Sequence, residues 1–427
     1  MTPTRPGEKG NEPVVGDRDA GANRGQAATA FERDGSEAIE PGTTEPATDS
    51  PSSPPGVPDD APESQPLMRH HPVIGYQFNP GTRHSMPRPD GETYQLSINA
   101  AGIRSDREYA FAKPPDVYRI LVFGDSQADG YYQPNERRFT ELIERRNPGI
   151  EVVNFALRGS GTDQQLLVFE EIGRKYEHDL VILLPFSENI RRIMPWALPC
   201  LQPQNGRIVY RLKPRFVLTT RADGTEVLEL HNIPIPEDPV EVEADNPVDR
   251  TAEPNRVGRI TRGLRRARGK LPTVRWVKKF IYPLLDLTGF DPFPLLGRLG
   301  YDPLPEYETP DTEEWRLMAA IIRRFAMGTE PKPFVVAPIV NSSYMRFAVG
   351  RNYWHRFHSL ADGERVHVLD LLPHFLKLGR RAVDCYMEPH DSHLSDLGHS
   401  VLADAIEAEL RRLELLPVRN AESRAVD

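Results

Sequence analysis

The sequence predicts a three-layer α/β/α domain: a doubly wound parallel sheet with a large insertion after its third strand. Three observations carry that reading. Five short runs are nearly all apolar and rich in β-branched residues, as strands buried on both faces are. Stretches with helical spacing alternate with those runs. The alternation lapses once, between residues 197 and 312, and then resumes.

Residues 1–66 read as a disordered, acidic, Pro-rich tail. Phe31 is its only aromatic residue, and its 13 acids against 5 bases supply −8 of the chain's net −9. Such a segment cannot bury enough apolar surface to offset its ordering entropy. The acidity therefore belongs to the tail and says nothing about a substrate. Residues 67–115 alternate in polarity and are broken by Asn-Pro-Gly and Pro-Asp-Gly, which predicts a β-hairpin lead-in. The first half of the domain, 116–196, holds the apolar runs 118–125, 151–157 and 179–186. The helical patterns RRFTELIERR and DQQLLVFEEIGRKY lie between them. The second half, 313–413, begins with EEWRLMAAIIRRFA, continues through runs 333–340 and 366–372, and closes with SVLADAIEAELRRLELL; a tail, 414–427, follows. The insertion, 197–312, predicts a hairpin in RIVYRLKPRFVLTTRADGTEVLEL, turning at its Asp-Gly, and then a basic segment between Pro-rich stretches.

The first residues lack the apolar stretch of a signal peptide, and no run has the length to span a bilayer. This predicts a cytoplasmic protein, with Cys200 and Cys385 as free thiols. No phosphate-loop pattern and no Cys/His set with zinc spacing is present, so the sequence implies no cofactor and no metal. His70-His71 reads as a solvated pair.

In an open α/β sheet, ligands bind outside the carboxyl ends of the strands. The first strand ends at Gly124-Asp125-Ser126. After the second come Asn154 and Arg158-Gly159-Ser160-Gly161. After the third come Ser187-Glu188-Asn189, and after the fifth His390-Asp391-Ser392-His393. Acyl transfer needs these residue types. A hydroxyl must lose its proton as it attacks, so an imidazole must take it. A carboxylate fixes that imidazole's tautomer and stabilises its cation. Preorganised N–H donors must meet the oxyanion. Each piece is weak alone: Gly-Asp-Ser is a common turn tripeptide, and Asn189 or Ser395 would cap a helix. The combination at one sheet edge is specific.

The arrangement resembles the SGNH (GDSL-type) hydrolases. YRILVFGDSQADG is similar to their first block and VVNFALRGSGTDQQ to their second, where the oxyanion glycine falls five residues after an asparagine. LLPFSENI resembles the third block and DSHLSDLGHSVLA the last. The resemblance spans roughly residues 116–196 and 316–412. It implies a flavodoxin-like fold, Ser126 as nucleophile, His393 as base and Asp391 as acid. It also implies an oxyanion hole from the Ser126 and Gly159 N–H groups and the Asn189 amide. INAAGIRSDREY, just upstream, looks like the lead-in of bacterial members that act around polysaccharides. Two departures stand out: the third block usually reads Gly-x-Asn-Asp, here Ser187-x-Asn189-Ile190, and the last is often Asp-x-x-His, here Asp391-x-His393. His399 matches the Gly-His that opens the last helix and reads as a packing residue. Asp125 reads as a partner for nearby backbone. Tyr131, Tyr132, Arg158, Gln164 and Arg191 either line the pocket or are ordinary loop residues.

The resemblance implies a serine esterase acting on a small-molecule or glycan acyl ester, O-acetyl groups on carbohydrate above all. An O-acyltransferase using the same triad and an inactive SGNH-like binding module are the alternatives. Residues 256–279 hold ten bases and no acid, with Val257, Ile260, Leu264 and Leu271 at helical spacing. They read as a basic amphipathic helix that either packs on the domain or meets an anionic surface. No nucleic-acid reading motif accompanies the charge.

Overall fold

The computed structural model describes residues 65–201, 208–240, 304–346, 351–388 and 391–417. The basic segment 256–279, His390 and nearly all of the acidic tail lie outside them. Two hairpins come first: β1 (Met68–His71) with β2 (Gly75–Phe78), and β3 (Arg83–Pro87) with β4 (Thr93–Ser97). The α/β elements follow: β5 (Tyr118–Gly124), α1 (Ser126–Asp129), α2 (Phe139–Arg146), β6 (Ile150–Asn154), α3 (Thr162–Glu171), β7 (Leu180–Leu184) and α4 (Asn189–Arg192). The interrupting segment contributes β8 (Ala197–Leu201), β9 (Ile208–Leu212), β10 (Arg215–Thr220) and β11 (Glu226–His231). The remainder is α5 (Glu313–Gly328), β12 (Phe334–Val336), α6 (Ser343–Arg346), α7 (Asn352–His358), β13 (Val366–Val368), α8 (Leu372–Leu376) and α9 (Asp396–Arg412).

The parallel sheet has the order β13-β12-β7-β5-β6. Counted along the chain this is 2-1-3-4-5, the flavodoxin-like order, whose switch point falls between β5 and β7. Period-two alternation splits the strands' side chains between two cores. Leu121, Phe123, Val181, Leu183, Phe334 and Val336 face α3, α5 and the lead-in hairpins. Ile120, Val122, Val152, Ile182, Leu184 and Val335 face α2 and α9. The lead-in belongs to the first core through Ile74, Phe78, Tyr94, Leu96 and Ile98. Arg119, buried at the start of β5, donates to the carbonyls of Ala110, Phe111 and Glu177 and pairs with Glu151.

Two local readings differ from expectation. The strands are shorter than the apolar runs, because Phe155, Leu157, Ile339, Val340, Leu369 and Leu371 are buried in the loops beyond the strand ends. The stretch 207–230 is not one hairpin. β9 pairs with β8, and β10 pairs with β11 around Asp223-Gly224. Pro214 separates β9 from β10, where a proline would remove a ladder donor. Beside it, the buried Lys213 reaches Asp163 at 2.6 Å and the Arg192 carbonyl at 2.6 Å, tying these hairpins to the sheet edge. Among the described residues no helix is long and apolar enough to cross a membrane.

Candidate active site

The site is built at the carboxyl ends of β5, β6 and β7. β5 ends at Gly124, where a Cβ would lie 2.4 Å from the Ala128 Cβ and 3.0 Å from the Leu184 carbonyl oxygen. Only glycine permits so tight a strand-to-helix turn there. Asp125 caps the turn: its Oδ1 accepts from the Gln127 N–H at 3.0 Å. Its Oδ2 pairs with Arg192 Nη1 at 2.9 Å. Burial pushes the Asp125 carboxyl above the usual carboxylate range, with Arg192 opposing. Asp125 is thus occupied with backbone and a guanidinium, and the turn presents Ser126 as the first residue of α1, 7 % exposed.

Ser126 Oγ lies 2.8 Å from His393 Nε2. His393 Nδ1 bonds Asp391 Oδ1, which also accepts from the His393 backbone N–H at 2.9 Å. The Asp391 Oδ2 accepts from the Tyr132 hydroxyl at 2.9 Å. Burial pushes the Asp391 carboxyl up, but the bonds and charge of His393 and the Tyr132 hydroxyl outweigh it and hold the group below the usual range. The ionised carboxylate fixes the imidazole proton on Nδ1, leaving the Nε2 lone pair facing the hydroxyl.

The oxyanion candidates lie on the other two strand ends. Gly159 has φ +72°, a left-handed conformation that glycine adopts without a Cβ clash. Its loop is fixed from both sides. The Tyr76 hydroxyl on β2 donates to the Arg158 carbonyl at 2.8 Å, and Asn154 Nδ2 donates to the Ala128 carbonyl at 2.8 Å. Asn189 is the first residue of α4 and is 0 % exposed. Its side-chain Nδ2 and Oδ1 have no hydrogen-bond partner among the described residues. A buried amide left unmatched in the folded chain is expensive, and an incoming oxyanion would supply its acceptor.

The structure sorts the neighbouring residues. Tyr131 stacks on the His393 imidazole at 4.7 Å, and Tyr132 meets it edge-on at 5.7 Å. Arg158 is buried behind Tyr131, its guanidinium 4.6 Å from that ring, and pairs with Asp129. Gln164 is buried and donates to the Ile74 carbonyl at 2.8 Å, so it joins the lead-in to the glycine turn. Arg191 pairs with Glu306. His399 is buried against Phe139, accepting from its N–H at 3.4 Å, and burial pushes its imidazole down to about 3. It has no contact with Ser126 in the hydrogen-bond network of the described residues. Cys385 is a buried free thiol. No group of three or more His, Cys, Asp or Glu among the described residues is placed to hold a metal ion.

Sequence reasoning missed two things. Gln127 bonds the backbone on either side of His393, through Nε2 to the Ser392 carbonyl (3.0 Å) and Oε1 from the Leu394 N–H (3.1 Å). Arg104, from the lead-in, reaches Asp129 at 2.9 Å in the interior. Neither has a local signal, because both partners are distant in the chain. The only hint was the lead-in block that contains Arg104.

No protein family and no curated protein matches this sequence. Similar solved structures include a lipolytic G-D-S-L family member from Veillonella parvula DSM 2008, at 10 % identity over 69 % of this chain and 100 % of that one, with a TM-score of 0.36. A lipase/acylhydrolase from Enterococcus faecalis follows at 12 % identity, 71 % and 100 % coverage and a TM-score of 0.35. An acetyl xylan esterase from Geobacillus stearothermophilus stands at 14 % identity, 71 % and 100 % coverage and a TM-score of 0.34. The resemblance to SGNH hydrolases therefore rests on the chain's own four blocks and on their place along one edge of a flavodoxin-like sheet.

Proposed function

We propose that this chain is an SGNH-type serine esterase that removes small acyl groups, O-acetyl above all, from carbohydrate. One observation carries the reading. Ser126 and His393, 267 positions apart, meet at 2.8 Å, and Asp391 holds the far nitrogen of the same imidazole. In this reading Ser126 Oγ attacks the ester carbonyl carbon while His393 Nε2 takes its proton. The Ser126 and Gly159 N–H groups and Asn189 Nδ2 receive the oxyanion, each donor contributing roughly 3–4 kcal/mol to the barrier reduction. The imidazolium then protonates the departing alkoxide. Water gives a proton to Nε2 as its oxygen attacks the acyl carbon, and the imidazolium returns that proton to Ser126 Oγ as the acid departs. The carbohydrate preference is supported by the lead-in INAAGIRSDREY, which looks like that of bacterial SGNH members acting around polysaccharides.

Ser126→Ala tests this. Hydrolysis of p-nitrophenyl acetate should fall by several orders of magnitude with the melting temperature unchanged, because triad members act as a unit. A fluorophosphonate probe should label Ser126. Labelling of another serine, or full activity in the variant, would overturn the reading. Adding a sugar acceptor reports whether the acyl group passes to water or to an alcohol.

A further inference from the structure

The side-chain contacts that orient His393 and Asp391 come from the segment that follows Ser126. Beside them stand the backbone bonds of Met387, whose N–H donates to the His393 carbonyl at 2.8 Å and whose carbonyl accepts from the Asp391 N–H at 3.1 Å. Gln127, 2 % exposed, holds the Ser392 carbonyl and the Leu394 N–H with the two ends of one amide. It thereby fixes the backbone on both sides of His393. Tyr132 donates its hydroxyl to the Asp391 oxygen that His393 does not use, and sets its ring edge-on to the imidazole. Tyr132 does so at φ +71°, a left-handed conformation that a bulky non-glycine residue rarely adopts. Such a conformation persists where surrounding contacts over-determine it, and it gathers at functional sites.

We propose that Gln127 and Tyr132 are positioning residues, setting the imidazole and its carboxylate against Ser126 from the nucleophile's own turn; this rests on the esterase reading above. The physical argument is one of alignment. Asp391 and His393 share a short loop before α9. Its backbone bonds, from the His393 N–H to Asp391 and between both residues and Met387, fix the two residues to each other and to the preceding segment but not to Ser126. Gln127 belongs to α1 together with Ser126, so its amide makes the loop and the nucleophile one rigid unit. Tyr132 spends the second carboxylate oxygen on the same unit. Misalignment of reacting groups by about 1 Å costs on the order of 100-fold in rate, so the alignment is open to measurement.

The test uses the full chain, p-nitrophenyl acetate, and the variants Gln127→Met and Tyr132→Phe. KM should stay near wild type while kcat falls, by about 10–100-fold for Gln127→Met and about 10-fold for Tyr132→Phe. In a His393→Ala background neither change should reduce the residual rate further, because the imidazole they position is gone. A purely structural role would lower both backgrounds alike. Should Gln127→Met fail to fold, Tyr132→Phe, which keeps the ring, decides. A second readout does not depend on turnover: the far-downfield proton NMR signal of the His393 Nδ1–H, assigned by its loss in His393→Ala, should shift or broaden in both variants. Wild-type kcat with that signal unmoved, or equal losses in both backgrounds, overturns the inference. Full activity in Ser126→Ala would overturn the esterase reading instead, and the NMR signal alone would then judge the positioning.

Discussion

Asp129 and Asp391 are both carboxylates held below the usual range, yet they belong to different kinds of structure. Asp129 is 1 % exposed and meets two guanidiniums, Arg104 and Arg158. Burial pushes its carboxyl up, and the charges of Arg104, Arg158 and Arg138 outweigh that. Asp391 is 27 % exposed, and its partners are an imidazole and a phenol. Permanent cations in a dry interior lock a carboxylate into the fold, since losing one partner strands the other. A titratable partner near water leaves a carboxylate free to steady a proton transfer. Burial and the nature of the partner separate the structural network from the one proposed to react.

The sharpest way to break that comparison is His393→Ala, whose kcat on p-nitrophenyl acetate should fall by about 10³-fold or more with little change in melting temperature. A smaller effect there than in His399→Ala would mean the base has been misassigned. Asp391→Asn should come next, at about 10²–10⁴-fold in kcat, again with the fold intact. Asp129→Asn should reverse the pattern. Denaturant unfolding should show a loss of about 3–5 kcal/mol, while the turnover of molecules that remain folded changes little. If Asp129→Asn were inactive yet fully stable, the buried cluster would belong to the chemistry. The smallest effect concerns His399. Its folded imidazole binds a proton only near pH 3, whereas an unfolded one does so near its ordinary value of about 6.5. The unfolded chain therefore binds more protons in that window. His399 should cost stability as pH falls from about 6.5 toward 3, by up to ~1.4 kcal/mol per pH unit. Urea unfolding as a function of pH should be shallower in His399→Gln by that amount.

The layers of the fold were legible because period and length report burial directly. The runs at 118–125, 151–157 and 179–186 are apolar on both faces, and β5, β6 and β7 are buried on both faces. The helix after His393 could be read from Ser395, whose Oγ accepts from the Gly398 N–H at 3.2 Å. The strand ends that gather Ser126, Gly159 and Asn189 follow from the sheet order alone. Contacts that depend on tertiary approach were not legible. Gln127 occupies a position with no periodic signature, and its partners lie 265 positions away or more. Arg104 and Asp129 meet across 25 positions with no motif to announce them. The division at Pro214 escaped because the Asp-Gly turn drew one hairpin over the whole stretch, whereas β9 pairs back to β8, upstream of it.

The separation of Ser126 from His393 also has a consequence in time. On the esterase reading, a ribosome completes β5, and the serine that follows it, long before it reaches the residue that would activate it 267 positions later. Until α9 has docked against α2 and drawn its loop to the sheet edge, the newborn chain carries an ordinary alcohol. Prematurely ended chains and partly folded ones would be chemically silent, and reactivity would arrive only with the final act of folding.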